Sequence, residues 1–408
     1  MFDRLAKSLR RCLLAMALFS GGSVMSQPAP TVQLALPAPG TNLVFTTSTQ
    51  SGNFYTMQTS SNLSNWTSFT PLYGSGANLS WTNAGPAKTN AEFFRAQVNP
   101  TNFVTLTNYH NWSDAIFLSN GVVEALIIPD AGRVMQFRFS TSNTGPFWEN
   151  PLMYGQTSTP NNWITTGAFG GDKSWPSPQT NWGSGNWPPP SGFDGEPYTY
   201  GITNGVVTIA SPVDPTFGIQ VTRTIQLLFN QAVMQINTVF QRVSASTKNP
   251  VGIWTITQVS YPTAGLYVPI ATNCIFAPTD YLPLTTTNLP ANITTYSNMI
   301  SFGPNTTNES EIGFDASSLA WIGQNWAMRI DGPRVAGVNK TNYPDSGCSS
   351  AVYTNPNSVP YCEMEFFAPM TNLPVGQSIS FTTTYNLFHI TTGNHYFQAL
   401  AILGLPVP

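Results

Sequence analysis

Apolar and polar positions alternate with a period of two through most of this chain. The runs Gly121–Ile128, Val134–Phe139, Val206–Ala210, Ile219–Phe229, Ala232–Val243, Val251–Ser260 and Ser378–Ile390 set β-branched or aromatic residues against Thr or Gln. That spacing belongs to strands with one face on a core. Asn120-Gly121 and Asn204-Gly205 carry the residues that tight hairpin turns require. No stretch sustains a helical spacing. About 300 residues of long strands predict an all-β fold of two large packed antiparallel sheets or a closed barrel, because exposed edges invite association.

Upstream the runs are shorter. Asn42–Thr49, Asn53–Thr59 and Glu92–Val98, separated by turn clusters such as Ser60–Asn62, predict a small β-sandwich module over 41–98. It shows no chemistry, and an adhesive or spacer role is its default. Residues 27–40, with four prolines, read as a linker. Residues 1–26 read as an export signal: Arg4, Lys7, Arg10 and Arg11 precede an apolar run from Cys12 to Phe19, and Val24 and Ser26 precede the cut. The remaining residues, 99–408, form the large domain. A secreted, periplasmic or cell-surface protein is expected, with no membrane span.

Composition narrows the function. Charged residues make up 8% of the chain, against about 25% in typical proteins. Without the signal, 11 basic and 17 acidic groups remain. So few cations exclude a phosphate-neutralising surface, and with it nucleic acid as a partner. Three cysteines remain after the signal, Cys274, Cys348 and Cys362. Cys348–Cys362 is the pair favoured by proximity, and three buried thiols are the alternative.

One segment departs from the alternation. Residues Trp163 to Tyr200 gather Trp163, Trp175, Trp182 and Trp187 with Asp172, Lys173, Asp194 and Glu196. Pro188, Pro189 and Pro190 remove three backbone donors in a row, which excludes a helix or a central strand. Its aromatic content argues against disorder. An ordered aromatic loop with a few charges suits a flat, polyhydroxylated ligand, whose ring faces stack on indole while hydroxyls meet carboxylates and amides. A packed loop covering a sheet end is the other reading.

The segments NYHNWSDAIFLSNGVVEALIIPDAGRVMQFRF (108–139), FGGDKSWPSPQTNW (169–182), NYPDSGCSSAVYTN (342–355) and YCEMEFFAPMTNLPVGQSISF (361–381) resemble an uncharacterised family. That family is similar to the galactose-mutarotase-like superfamily, whose fold aldose 1-epimerases share. The resemblance spans roughly residues 105–390. It implies a large antiparallel super-sandwich whose concave face binds carbohydrate. Aldose 1-epimerases pair a carboxylate base with a histidine acid, since neither sugar oxygen exchanges its proton readily near neutrality. Glu365 matches the base, and strand alternation puts Glu363 on the same face, with Cys362, Met364 and Phe366 towards the core. The acid has no match, since His110, His389 and His395 all lie outside the middle strands. His110 stands at the domain entry and is the histidine placed at a site rim.

The matched motifs supply the remaining candidates. Arg133 is positioned to fork to hydroxyls or a carboxylate, or to pair with Asp130. Asp172 and Lys173 follow a Gly170-Gly171 step that permits close backbone approach. Trp175 offers a stacking face and Gln179 an amide, Asp194 closes the loop, and Tyr343 and Asp345 lie on a second loop. The predicted partner is a mono- or oligosaccharide, and no cofactor or metal is expected. The alternatives are a non-catalytic binding or surface-structural protein, or a glycoside hydrolase or polysaccharide lyase. Hydrolysis would require a second carboxyl from Asp172 or Asp194, because Glu363 and Glu365 project in parallel.

Overall fold

The computed structural model describes residues 32–35, 43–49, 53–73, 78–83, 93–100, 103–160, 168–183, 185–285, 288–335, 342–390 and 393–407. The export signal expected over 1–26 and Trp163 lie outside the described residues. The chain divides into two compact units, Met1–Thr101 and Asn102–Pro408.

Two three-stranded antiparallel sheets are described in the first unit. One orders Val32–Ala35, Leu43–Ser48 and Asn78–Asn83; the other orders Thr67–Tyr73, Asn53–Ser60 and Phe93–Pro100. Val32–Ala35 pairs in register with Val44–Thr47, so part of the segment expected as linker is strand. Phe45, Tyr55 and Met57 are buried, and the Phe45 and Phe94 rings lie 4.5 Å apart.

The second unit holds two ten-stranded antiparallel sheets among the described residues. The first runs Leu282–Pro283, Ser310–Phe314, Ser350–Thr354, Tyr361–Phe367, Gly252–Ser260, Asp172–Ser177, Arg133–Phe139, Val123–Ile128, Trp112–Ser119 and Phe103–Tyr109. The second runs Thr199–Thr203, Val206–Ala210, Ile219–Leu227, Val233–Arg242, Ser378–His389, Trp326–Asp331, Ser318–Ile322, Gly265–Pro269, Met299–Gly303 and Ala291–Thr295. Each of the seven alternating runs coincides with one of these strands to within two residues at either end. Both strand orders are open, which selects a sandwich over a closed barrel. Asn204 and Gly205 stand at φ 52° and 74°, the left-handed pair of a type I′ hairpin turn.

One core cluster joins the two sheets: Ile116, Phe137, Ile253 and Met364 come from the first, and Val221, Phe240 and Met328 from the second. Each such large side chain contributes roughly 1.5–3 kcal/mol when fully buried. The inward register of Ile219–Leu227 also includes Arg223, which is wholly buried. A guanidinium there must be paired, and Asp172 pairs it. The Asp172 carboxylate accepts from Arg223, from Thr257 Oγ1 at 2.7 Å and from the Tyr385 hydroxyl. Asp172 was expected to meet a ligand; instead it faces the second sheet and neutralises a core cation.

Two further expectations change. Cys274, Cys348 and Cys362 are all free thiols, the last two buried. The Cys348 sulfur packs where a side chain on Gly313 would project, whereas Cys362 belongs to the core cluster. Near the C-terminus, His395–Leu403 is a helix, begun by the Asn394 side chain accepting from Tyr396 N at 2.9 Å and closed by Gly404 at φ 67°. One short helix is too brief to show a sustained period, although its Asn and Gly caps are legible. No helix among the described residues is long and apolar enough to cross a membrane.

Candidate functional site

The site is built on the outer face of the first sheet. In Tyr361–Phe367, Cys362, Met364 and Phe366 belong to the core cluster, which turns Glu363 and Glu365 the other way. Antiparallel register then carries this face across the sheet. Glu365 stands beside Ile256 and Ala351, Glu363 beside Gln258 and Tyr353, and Tyr353 beside Glu311. On the far side of Gly252–Ser260, Lys173 stands beside Ile256 in the Glu365 row, and Trp175 beside Trp254 in the Phe367 row.

Part of the segment expected as a loop is regular structure: Asp172–Ser177, which precedes the three prolines, is a central strand of this sheet and Ser191–Asp194 is a helical turn. The loop between them, with Trp182, packs against the outer face. The indoles of Trp175 and Trp254 meet edge to face at 5.2 Å, as do those of Trp175 and Trp182. The backbone reaches the sheet through Gly170 and Gly171, at φ 102° and 69°. A side chain on either would collide with the carbonyl oxygen of Trp148 or Val134, at 2.2 and 2.5 Å respectively.

Beneath the loop runs a buried chain of charges. Arg133 forks to both Asp194 oxygens at 2.8 and 2.7 Å, and Trp175 Nε1 donates to the same carboxylate at 2.7 Å. Arg133 also donates to Gly170 O at 2.7 Å and to Gln258 Oε1 at 3.4 Å. Gln258 and Lys173 both donate to Glu363 Oε1 at 2.9 Å, and the Lys173 ammonium lies 4.3 Å above the Trp175 ring. Burial pulls the Lys173 pKa down, against the opposing pull of Glu363. Arg133, Lys173, Trp175, Asp194 and Glu363 therefore form one packed network. Arg133 pairs with Asp194 rather than with Asp130. Pairs so well enclosed position the loop and leave no free fork for a ligand.

Next to this network opens a cleft of about 140 Å³, lined by Ser177, Gln179, Trp254, Leu284, Glu311, Pro344, Asp345 and Phe367. Gln179 and Asp345 were expected; Glu311, Trp254 and Ser177 were not. Glu365 lies behind this wall, only 1% exposed, and accepts from Trp254 Nε1 at 2.8 Å. Burial, then Glu311 and Glu363, raise the Glu365 carboxyl well above the usual range. Burial, then Asp345 and Glu363, push Glu311 up to about 8. Two carboxyls on neighbouring rows are thus both shifted towards their protonated forms, one of them in the cleft wall. Ser177 is 1% exposed, and its hydroxyl has no hydrogen-bond partner among the described residues.

Two expected site residues lie elsewhere. Tyr343 is buried, and its hydroxyl accepts from Val335 N at 3.0 Å. His110 stacks on Tyr154 at 3.9 Å, with Nε2 3.4 Å from Glu149. The Tyr109 hydroxyl donates to both Glu149 oxygens, at 2.7 and 3.0 Å, and burial pushes that carboxyl up to about 7. None of these residues lines the cleft. Nor do the other histidines: His389 stacks on Phe139 at 3.9 Å, and His395 begins the C-terminal helix. Among the described residues, no group of three or more His, Cys, Asp or Glu is placed to hold a metal ion.

Glu311 escaped the sequence reading because an isolated Glu in a short strand looks like any solvent-facing residue. Trp254 escaped it because GIWTITQVS reads as core. Both enter the site only through strand pairing.

No family model matches the chain, and no curated protein matches it. Solved structures do resemble it. A protein described as a candidate aldose 1-epimerase from Escherichia coli K12 aligns with a TM-score of 0.45 at 11% identity, covering 67% of this chain and 98% of that one. Another so described, from Klebsiella pneumoniae, aligns at 0.47 and 10% identity, covering 74% and 85%. The 4-alpha-glucanotransferase from Thermococcus litoralis aligns at 0.34 and 11% identity, covering 71% and 40%.

Proposed function

We propose that this chain is an exported carbohydrate-binding protein whose cleft takes one terminal sugar ring and exchanges a proton with it, an aldose 1-epimerase-like activity. The observation that carries this reading is the composition of the cleft wall. The Trp254 indole, the Gln179 amide and the Glu311 and Asp345 carboxyls converge on one cavity, the mixture of apolar face and polar groups that a sugar requires. The volume sets the size of the ligand. Pockets for drug-sized molecules run to roughly 300–1,000 Å³, so about 140 Å³ suits a single ring rather than an extended chain.

Glu311, rather than the enclosed Glu365, accepts the anomeric hydroxyl proton in this reading as the bond from that carbon to the ring oxygen breaks, and solvent water supplies the proton that the ring oxygen gains. A general base works best with a pKa near the operating pH, and Glu311 sits at about 8. Glu365, which no cleft surface reaches, acts on Glu311 as a neighbouring buried carboxyl. Export rests on the basic and apolar pattern of residues 1–26.

Calorimetry with monosaccharides, followed by polarimetry of freshly dissolved aldoses, tests the reading. The expected result is binding, with optical rotation decaying faster than in buffer, and loss of that acceleration in Glu311→Gln. Binding without acceleration supports the non-catalytic alternative. Absence of binding to any sugar refutes the proposal.

A further inference from the structure

We infer that the cleft is selective for an amino sugar, a monosaccharide carrying a protonated amine beside its anomeric carbon, seated between Glu311 and Asp345. The inference rests on the carbohydrate reading above and names the substrate class of that site. Two acidic side chains and no basic one line the cleft. The nearest cations of the outer face are already engaged, Lys173 with Glu363 and Arg133 with Asp194, inside the network beneath the loop. A sugar carboxylate would find no cation there, whereas an ammonium would meet two acceptors in a partly desolvated cavity, where charge-assisted hydrogen bonds are strongest.

A second, independent feature points to a ligand. Ser177, 1% exposed, lines the same cleft with a hydroxyl that has no partner among the described residues. Burying a hydroxyl without a hydrogen bond is costly, and a ligand amine or hydroxyl would complete it. The proton traffic is consistent with the proposed reaction. Glu311 is faced by Asp345 from the 342–349 loop, Glu363 and Glu365 from the neighbouring strand and Tyr353 from the strand between. An ammonium placed among these acids favours the ionised form of Glu311, so binding releases a proton and leaves the carboxylate that accepts the anomeric hydroxyl proton.

The test is calorimetry on the full chain at pH 7 with 2-amino-2-deoxyglucose, its N-acetyl derivative, glucose, glucuronate and ethanolamine, in two buffers of different ionisation enthalpy. The expected result is an amino-sugar affinity ~10-fold or more above that of glucose or the N-acetyl sugar, the scale of one charge-assisted hydrogen bond. Proton release on binding and no binding of glucuronate are expected as well. Asp345→Asn, at a position of φ 50° that Asn adopts readily, should cut that preference to about 3-fold. Glu311→Gln should do the same and abolish the proton release. Equal affinity for glucose and the amino sugar, or tighter binding of glucuronate, overturns the inference and leaves the carbohydrate reading intact. Ethanolamine binding as tightly as the amino sugar overturns the saccharide reading and keeps the cation preference. Absence of binding by all five overturns both.

Discussion

Replacing Glu311 by Gln tests the electrostatics of the cleft without reference to any ligand. The carboxyl moves from 4.5 to about 8 because it is buried and faces Asp345 and Glu363. Its folded-state pKa is raised, so between those two values the folded protein binds more protons than the unfolded chain. Stability from this group is therefore complete below about pH 4.5 and is lost as pH rises through 8. A tenfold ratio in proton affinity is worth about 1.4 kcal/mol, which sets a ceiling near 5 kcal/mol for the full shift. Glu311 is part open to the cleft, and solvent screening brings the expected loss to ~2–3 kcal/mol. Gln keeps the shape and cannot ionise. Thermal melts from pH 4 to 9 should show the two proteins alike near pH 4.5, with Glu311→Gln melting roughly 3–6 °C higher at pH 8.5. The buried Glu149 titrates in both proteins and cancels in the difference. Parallel profiles across the whole range would show that Glu311 ionises freely and that the crowded-carboxyl account is wrong.

Further expectations concern the network and the histidine. Asp194→Ala strips the partner from the wholly buried Arg133 and should cost ~3–5 kcal/mol in urea unfolding; a loss under ~1 kcal/mol would mean that water reaches the guanidinium. Glu365→Gln keeps an acceptor for Trp254 Nε1 and should change stability by less than ~1 kcal/mol, whereas Glu365→Ala leaves an unpaired donor and a void and should cost ~2–4 kcal/mol. His110→Ala should leave sugar affinity unchanged by calorimetry, and a tenfold loss would return His110 to the site.

Alternation was enough to place the large strands. Ile219–Leu227 and Val233–Arg242 carry one inward side chain in every two, a pattern any reader of the sequence can count, because a strand's period is fixed by backbone geometry. The same rule put Glu363 and Glu365 on one face with Met364 opposite. Alternation was silent on what covers each face. Lys173 and Asp172 are adjacent in sequence and equally polar, yet one joins the network under the loop and the other pairs with Arg223 in the core. Only the partner sheet separates them.

What the sequence settled alone was local: the strand period, the Asn-Gly turns, the glycine step at 170–171 and the scarcity of charge. These follow from backbone sterics and composition, which act within a few residues. The site was decided by tertiary structure. Glu311, Trp254, Asp345 and Ser177 are distant in sequence and meet because strands pair across long separations and two loops converge on one sheet face. Their protonation depends on that meeting, since burial and like charge raise a carboxyl only where the fold brings its neighbours.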